Sequence, residues 1–298
     1  TALDNLKRRG SELNLPRLRE AGVSFVHGDV RHRSDLEAAG PFDLLIECSA
    51  EPSVLAGYHD HPDYVINTNL VGTINCLEAV RKQNASMLFL STSRVYPMRR
   101  LVSLPLAETP TRFALPEGYS DLGVSANGIS ESFPLDAPRS LYGTTKLASE
   151  LLILEYADMF NLRAIINRCS LITGPWQMGK VDQGVVVLWA ARHVFEQNLT
   201  YFGFGGIGKQ VRDLLHVHDL YNLIDHQITN WKSFDRQTFN VGGGRENSVS
   251  LCELTDLCRQ ITGKRVPIDS ALENRPADIP WYLSDCSKLT SICHWKPE

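Results

Sequence analysis

The stretch Met87-Leu88-Phe89-Leu90-Ser91-Thr92 and the stretch Tyr142-Gly143-Thr144-Thr145-Lys146, fifty residues further on, are the most informative parts of this sequence. The first predicts a buried strand that ends in hydroxyl side chains, and the second predicts the start of a helix. Tyr142 and Lys146 are four residues apart, so a helix places them on one face. A lysine ammonium next to a phenol favours the phenolate and lowers the phenol pKa from about 10. Alone, this spacing also fits a pair on a helix surface. Together with the hydroxyl-ended strand, it predicts a proton acceptor for a hydroxyl whose carbon loses hydride.

Composition and charge place the chain among ordinary globular proteins. It has 298 residues, of which 43% are hydrophobic, a net charge of −4 and a pI near 6.1. This balance does not favour a nucleic-acid partner or an anionic membrane surface, and no apolar run approaches the ~20 residues of a membrane helix. The seven cysteines are scattered without a Cys-x-x-Cys spacing. This pattern predicts reduced thiols, a cytoplasmic location and no metal site.

Short apolar runs alternate with helical segments in the first half of the chain. The runs that predict strands are Val23–His27, Leu44–Cys48, Met87–Leu90 and Ala164–Asn167. Strands that alternate with helices predict a parallel sheet covered on both faces, and therefore an α/β fold with a Rossmann-type doubly wound sheet. Ligands of such sheets bind at the carboxyl ends of the strands. The side chains expected at these ends include Asp29, Ala50, Thr92 and Arg168.

The pattern becomes less regular after Gly174-Pro175, where we predict a smaller mixed α/β lobe. Residues 1–173 and about 211–241 are assigned to the sheet domain, and residues 174–210 and about 242–298 to the lobe. Gly242-Gly243-Gly244 directly follows the run Phe239-Asn240-Val241. Since this position is far downstream of the first strands, we interpret the glycines as a tight turn near the lobe and not as a dinucleotide loop.

Taken together, these residues resemble the extended short-chain dehydrogenase/reductase family, in its nucleotide-sugar epimerase/dehydratase branch. The resemblance covers essentially the whole chain and implies NAD as the cofactor. It assigns Tyr142 and Lys146 to the catalytic pair, and Thr92, four residues before Tyr96, to the catalytic hydroxyl. The family begins with a strand and a glycine-rich turn that receives the cofactor pyrophosphate. No such motif precedes Asp4, so the resemblance implies that about thirty residues of the family pattern, with a central strand, are missing from this sequence.

Several segments resemble parts of the family that contact the cofactor. Asp4-Asn5-Leu6 resembles the segment whose aspartate holds the adenosine ribose, and Gly28-Asp29-Val30-Arg31 resembles the segment that receives adenine. The alternative for Asp4 and Asp29 is a cap on a helix or a turn. Cys169 follows a strand, where it either faces the nicotinamide or is a small buried thiol. The implied cofactor-binding residues are Asp4, Asn5, Asp29, Val30, Ala50, Asn69, Ser91, Tyr142, Lys146 and Cys169.

A second group of motifs indicates the substrate. In the family, the arginines that match Arg212 and Arg275 contact the diphosphate of a nucleotide sugar; the alternative is an ordinary salt bridge. Within the family, Asp182-Gln183-Gly184 and Gly208-Lys209-Gln210 are most similar to the CDP-paratose 2-epimerases, which implies a CDP-sugar. The implied substrate-binding residues are Ser53, Thr92, Arg168, Gln183, Gln210, Arg212 and Arg275.

The resemblance leaves three activities open. The favoured one is a 2-epimerase that oxidises C2 of CDP-paratose and returns hydride to the other face, which forms CDP-tyvelose for O-antigen biosynthesis. The second is a 4-epimerase or 4,6-dehydratase acting on another nucleotide sugar, although Thr92-Ser93-Arg94 lacks the Asp-Glu pair typical of dehydratases. The third is a non-catalytic nucleotide-binding homologue, which the lack of a glycine loop would favour. The family also implies a homodimer or tetramer whose contacts include the Tyr142 helix.

Overall fold

Strands and helices alternate along much of the chain. The computed structural model describes residues 1–58, 61–179 and 183–298. In chain order, the strands are β1 (Ala2–Asp4), β2 (Phe25–His27), β3 (Leu44–Glu47), β4 (Ser86–Thr92), β5 (Ala107–Glu108), β6 (Phe113–Ala114), β7 (Val124–Ser125), β8 (Gly128–Ile129), β9 (Arg163–Cys169), β10 (Leu171–Thr173), β11 (Leu199–Phe202), β12 (Val211–His216), β13 (Gln237–Val241), β14 (Ser248–Ser250), β15 (Ile268–Ala271) and β16 (Trp281–Tyr282).

The helical segments range from single turns to nineteen residues. The α-helices are α1 (Leu15–Glu20), α2 (Arg33–Ala38), α3 (Asp63–Ile66), α4 (Gly72–Gln83), α5 (Met98–Val102), α6 (Leu141–Met159), α7 (Val185–Val194), α8 (Val217–Thr229), α9 (Trp231–Phe234), α10 (Leu251–Thr262) and α11 (Ser287–Thr290). Tight 3-10 turns lie at Ser11–Asn14, Ser93–Val95 and Phe204–Gly206, and a wider π-helical turn lies at Asn67–Val71. None of the helices in the described part of the chain combines the length and the apolar composition that a bilayer-spanning segment requires.

Parallel pairing organises the strands of the first half of the chain. β1 pairs with β2, with Asp4 opposite His27, and β3 pairs with β4, with Leu44 opposite Ser86. β3 and β4 belong to a four-stranded sheet in the order β13-β9-β4-β3. Each apolar run that predicts a strand overlaps one: the first two runs contain β2 and β3, and the last two lie within β4 and β9. The predicted parallel α/β pattern is therefore confirmed.

The chain divides into two compact units. The first consists of residues 1–91, 141–167 and 234–238, and the second of residues 92–140, 168–233 and 239–298. The chain passes from one unit to the other within β4, β9 and β13, after Ser91, Asn167 and Thr238. Thr92, the last residue of β4, therefore belongs to the second unit, whereas the whole of α6 belongs to the first.

The core of the first unit lies between its central strands and the helices α2, α4 and α6. Its buried members are Leu36, Cys76, Leu77, Val80, Ala85, Met87, Phe89, Ile153, Leu162, Ala164 and Ile166. β4 is buried along its length apart from the half-buried Leu90. A parallel strand that is covered on both faces needs a continuous apolar run, which is the pattern that Met87–Leu90 shows.

The second unit has a separate core around α7, α10 and the parallel pair β11-β15. Its buried members are Trp189, Leu199, Leu254, Cys258 and Val266. α10 begins with a reciprocal cap, because the Ser250 hydroxyl accepts the Glu253 amide while the Glu253 carboxylate accepts the Ser250 amide. The helix ends at Gly263, whose φ of 70° is the left-handed conformation that glycine adopts at low cost.

The glycines that follow β13 lie against the backbone and side chains of β12. A Cβ atom on Gly243 would lie 2.0 Å from the carbonyl oxygen of Leu214, and one on Gly242 would lie 2.2 Å from Oδ2 of Asp213. Only glycine allows this approach, and the chain then turns over residues 244–247 before β14 begins. The interpretation of these glycines as a turn is confirmed.

Replacing Gly243 with alanine is expected to lower the free energy of unfolding by about 3 kcal/mol, since the backbone of Leu214 cannot move aside without disturbing β12. Urea unfolding of the two proteins measures this difference. Gly179→Ala is the matched control, because its new Cβ would meet nothing nearer than 3.5 Å. Equal losses in the two variants would contradict the steric argument.

Candidate active site

Lys146 is a buried cation on the first turns of α6. Its side chain is only 2% exposed, and Nζ lies 3.8 Å from the centroid of the Phe89 ring on β4. The ring face attracts the ammonium group and holds it against the sheet. Tyr142 lies one turn earlier on α6 and is half-buried. The helix therefore presents the predicted phenol and its lysine on one face.

Asn69 connects the first turns of α6, which carry Tyr142 and Lys146, to the loop that follows β3. Its Oδ1 accepts the Glu51 amide at 2.7 Å, and its Nδ2 donates to the Glu51 carbonyl at 3.1 Å and to Thr145 Oγ1 at 3.2 Å. The Thr145 hydroxyl in turn donates to the carbonyl of Tyr142 at 2.9 Å. Asn69 is completely buried in the π-helical turn, a wide turn that is frequent at functional sites. The side-chain amide of Asn69, which the family resemblance assigned to cofactor binding, thus joins the loop after β3 to α6.

Replacing Asn69 with alanine is expected to destabilise the protein by ~2–4 kcal/mol, because the Glu51 amide and the Thr145 hydroxyl lose a buried partner. Urea unfolding checks this value. Asn67→Ala is the matched control on the same turn, since Asn67 is exposed and donates only to the Asp63 carbonyl. A loss as large in Asn67→Ala would show that the turn, and not the clamp, is responsible.

The carboxyl ends of β1 and β2 bring the predicted adenosine-binding residues together. Asp4 ends β1 with an exposed carboxylate, and one of its oxygens accepts the Leu6 amide at 2.6 Å. Asn5 Nδ2 donates to Asp29 Oδ2 at 2.8 Å. Arg31 holds both oxygens of Asp29, and these bonds keep the pKa of Asp29 well below its usual range. Asp29 is therefore an ionised carboxylate that is already paired with Arg31.

The remaining predicted residues of the first unit lie at the ends of neighbouring elements. The carbonyl of Val30 accepts the side-chain amide of Asn75 at 2.9 Å. Ala50 is half-buried just beyond β3, and the buried Ser53 accepts the Leu55 amide at 3.2 Å in the turn that follows. Ser91 Oγ donates to the buried carboxylate of Glu150 on α6.

Thr92 and the predicted diphosphate arginines belong to the second unit. Thr92 Oγ1 accepts the Arg94 amide at 3.2 Å, and this bond starts the 3-10 turn after β4. Arg212 on β12 donates to Asp278 Oδ1 at 2.9 Å and to the Ile279 carbonyl at 2.6 Å. The guanidinium of Arg275 lies 3.9 Å from the centroid of the Phe202 ring.

Arg94 and Arg212 form a positively charged cluster. Burial lowers the pKa of Arg212 to about 10; Asp278 opposes this change and the nearby charge of Arg94 adds to it. Arg94 itself donates to the Ala277 carbonyl at 3.2 Å. Guanidinium groups form charge-assisted hydrogen bonds with phosphate oxygens, so the chemistry of this arginine pair suits a diphosphate. Sequence patterns alone did not indicate Arg94 or Asp278 as members of this group, because neither contact is local in the chain.

Other residues of the second unit were predicted to bind the substrate, or in the case of Cys169 the cofactor, and they contact other parts of the protein. Arg168 donates to the hydroxyl of Tyr96 at 3.2 Å, and Tyr96 donates to Asn240 at 2.7 Å. Cys169 is a buried thiol at the end of β9. Gln210 Nε2 donates to the Phe202 carbonyl at 2.6 Å.

Gln183 is half-buried two residues before α7. Asp182, which supported the choice of subgroup, lies outside the described residues.

Comparison with known proteins decides the family. The sequence model of the NAD dependent epimerase/dehydratase family matches residues 1–242. The chain belongs to this family. The family prediction made from the sequence is therefore confirmed.

Relatives with different activities match nearly the whole chain. CDP-paratose 2-epimerase of Salmonella typhi is 32% identical, over 99% of this chain and 86% of the relative. A putative UDP-glucose 4-epimerase of Methanocaldococcus jannaschii is 27% identical, over 99% and 84%. The solved structure of UDP-glucose 4-epimerase of Thermus thermophilus in complex with NAD is 25% identical, with a TM-score of 0.78 over 99% of this chain and 85% of that chain.

These matches confirm the Rossmann-type α/β fold and NAD as the cofactor. The residues present fit that cofactor. The exposed carboxylate of Asp4 at the end of a parallel strand provides acceptors for ribose hydroxyls, and the ammonium of Lys146 provides a donor on the catalytic helix. The family assignment thus agrees with the chemistry of the side chains that the fold presents.

Proposed function

We propose that this chain is a nucleotide-sugar epimerase that inverts C2 of CDP-paratose to form CDP-tyvelose. The observation that carries this proposal is the buried Lys146 on the face of α6 that also bears Tyr142. A surface pair would leave the lysine in water, where its effect on a phenol is weak. Burial against Phe89 retains the charge close to the helix face on which the phenol lies.

The residues of the first unit would bind the cofactor and move the proton. Asp4 would hold the adenosine ribose, and Lys146 the nicotinamide ribose. NAD, when bound, supplies hydride-transfer chemistry. Tyr142 as phenolate accepts the proton of the C2 hydroxyl and later returns a proton to the oxygen of the 2-keto sugar. Thr92 donates a hydrogen bond to that same oxygen.

The arginines of the second unit would anchor the diphosphate while the sugar turns. Inversion requires that the 2-keto sugar present its other face before hydride returns, so the sugar must rotate without leaving the enzyme. Arg212 and Arg94 offer charge-assisted hydrogen bonds to phosphate oxygens, which are stronger than neutral ones. Arg275 is proposed as a third contact. This division leaves the sugar ring free to rotate about a fixed nucleotide.

Similarity to the Salmonella typhi enzyme supports the choice of C2 and of a CDP-sugar. The 4-epimerases among the relatives support a second candidate, inversion at C4 of another nucleotide sugar. A 4,6-dehydratase is less favoured, since Ser93 and Arg94 follow Thr92 where dehydratases carry two carboxylates. We also propose that the enzyme is a cytoplasmic homodimer or tetramer.

A panel of CDP-, UDP-, GDP- and dTDP-sugars, incubated with the NAD-loaded enzyme in normal and deuterated water and followed by NMR, tests the proposal. We expect conversion of CDP-paratose to CDP-tyvelose with no deuterium at C2, because the hydrogen that leaves this carbon returns as hydride. Inversion at C4 of any sugar would replace the C2 proposal. Binding of nucleotide sugars without turnover would indicate a non-catalytic homologue.

A further inference from the structure

Glu47 is a buried acid in the middle of the first unit. It ends β3 inside the otherwise apolar run Leu44–Cys48, and it is 2% exposed. Carboxylates are rarely buried to this degree unless they are paired with a cation or hydrogen-bonded throughout. The reaction as proposed above assigns no role to this side chain.

The register of the sheet places Glu47 next to the catalytic lysine. Glu47 is the partner of Phe89 in the parallel pair β3-β4, so the two side chains project from the same face of the sheet. The Phe89 ring carries Nζ of Lys146 over its face at 3.8 Å. Lys146 is accordingly close enough for its charge to lower the pKa of Glu47, although burial raises it by more and leaves the pKa above its ordinary value.

The hydrogen bonds around Glu47 require one proton more than an ionised carboxylate provides. Thr73 Oγ1 lies 2.8 Å from Glu47 Oε1 and also 2.8 Å from the carbonyl oxygen of Asn69. Thr73 has one hydroxyl proton, and a carbonyl oxygen can only accept. Both short contacts are full two-centre hydrogen bonds, with no proton shared between two acceptors, if Thr73 donates to Asn69 and a protonated Glu47 donates to Thr73. The proton count therefore favours the neutral acid.

The second oxygen of Glu47 leads to the same conclusion. Oε2 is buried and makes no hydrogen bond within the described residues. An unpartnered oxygen costs far more on a buried carboxylate than on a neutral acid, in which it is an ordinary carbonyl. The other hydroxyl near the group, that of Ser49, lies 3.2 Å from Oε1 and so does not serve Oε2.

Three titratable groups interact with Glu47 from the elements packed around it. They are Lys146 on α6, Cys76 on α4 and Cys48 directly after β3. Cys76 is buried, which raises the pKa of its thiol, and a thiol such as that of the exposed Cys48 ordinarily ionises only above about pH 8, so neither carries charge near neutral pH. A change in the charge of Glu47 would therefore act directly on the electrostatic environment of Lys146.

We propose that Glu47 is a neutral carboxylic acid beneath Lys146, and that its neutrality avoids a negative charge that would oppose the stabilisation of the Tyr142 phenolate by the lysine. An ionised Glu47 would oppose the lysine and weaken this stabilisation. Glu47 is a positioning residue, since it acts through Lys146 and does not touch the substrate. The inference rests on the roles proposed above for Tyr142 and Lys146.

Unfolding measured against pH tests the protonation state without any use of turnover. If Glu47 keeps its proton when folded, the native state binds one proton more than the unfolded state between pH 4.5 and the folded pKa. Stability then falls as the pH rises through this window. The unfolding constant of the wild type, divided by that of Glu47→Gln, should rise by up to tenfold for each pH unit.

Controls separate this effect from a general loss of stability. Glu37→Gln makes the same change at an exposed position of the first unit and should give a ratio that does not change with pH. Glu47→Met, which also cannot ionise, replaces Glu47→Gln if the amide prevents folding. A flat or falling ratio for both Glu47 variants would overturn the proposal.

The titration of Tyr142 tests the effect on the phenol. The phenolate absorbance of each protein, minus that of its Tyr142→Phe counterpart, reports on Tyr142 alone. If Glu47 is already neutral, Glu47→Gln should change the acid dissociation constant of Tyr142 by less than about threefold. An increase of about tenfold would mean that a negative charge had been removed, and the neutral acid would be refuted. Neither measurement needs a sugar, so either can fail while the proposed epimerase activity stands.

Discussion

Replacing Tyr142 with phenylalanine is expected to lower kcat by about 10³-fold, because the variant has no group at this position that can accept the proton of the sugar hydroxyl. Lys146, Phe89 and the clamp of Asn69 on Thr145 would remain in place, since none of these contacts uses the phenol oxygen. The measurement is the initial rate on the sugar identified from the panel, at saturating concentration. KM should change little, because the loss occurs in the chemical step.

Tyr156→Phe provides the matched control on the same helix. The Tyr156 hydroxyl donates to Glu78 on α4 at 2.9 Å and has no proposed part in catalysis. Its removal should leave kcat within about twofold of the wild type. A folded, NAD-loaded Tyr142→Phe enzyme that keeps more than a tenth of wild-type activity would remove Tyr142 from the proposed mechanism.

Replacing Arg94 or Arg212 with alanine is expected to raise KM for the nucleotide sugar by about 10- to 100-fold, which corresponds to the loss of a hydrogen bond between charged partners. The physical reason is that each guanidinium is proposed to donate charge-assisted hydrogen bonds to the diphosphate, which an alanine side chain cannot replace. Steady-state kinetics on the two variants measures the change.

One further variant, compared with these two, shows whether the effect arises from binding. Arg212→Ala leaves Asp278 without its partner and so also lowers stability, whereas Arg94→Ala leaves that pair intact. Arg112→Ala breaks another arginine–carboxylate pair of the second unit, with Glu253, and should destabilise the protein without a change in KM. If Arg94→Ala binds the nucleotide sugar as the wild type does, the cluster is not the diphosphate site.

Local patterns were sufficient to predict the parallel strands and the catalytic helix. A continuous apolar run such as Met87–Leu90 can be recognised because a strand buried on both faces must be apolar at every position. Tyr142 and Lys146 can be recognised because helical periodicity converts a spacing of four residues into a shared face. The turn at Gly242–Gly244 followed from the conformational freedom of glycine.

Contacts between distant residues could not be predicted in this way. Asn69 matched a cofactor-binding segment, yet its amide clamps Glu51 and Thr145, eighteen and seventy-six residues away. Arg94 was not predicted to bind the substrate, because Asp278 and Arg212, the residues near it in space, are more than a hundred residues downstream. Glu47 was included in the apolar run that predicts β3, and no role was predicted for its carboxyl group.

The sequence by itself determined the family, the parallel α/β pattern, the use of NAD and the shared helix face of Tyr142 and Lys146, because each depends on residue type and on spacing along one element. Only the tertiary structure decided what surrounds that pair. It placed Phe89 under Lys146, Glu47 beside it and Asn69 across the helix turn. The reason is physical: charge, burial and hydrogen-bond saturation depend on which side chains are neighbours in space, and the order of residues along the chain does not specify this.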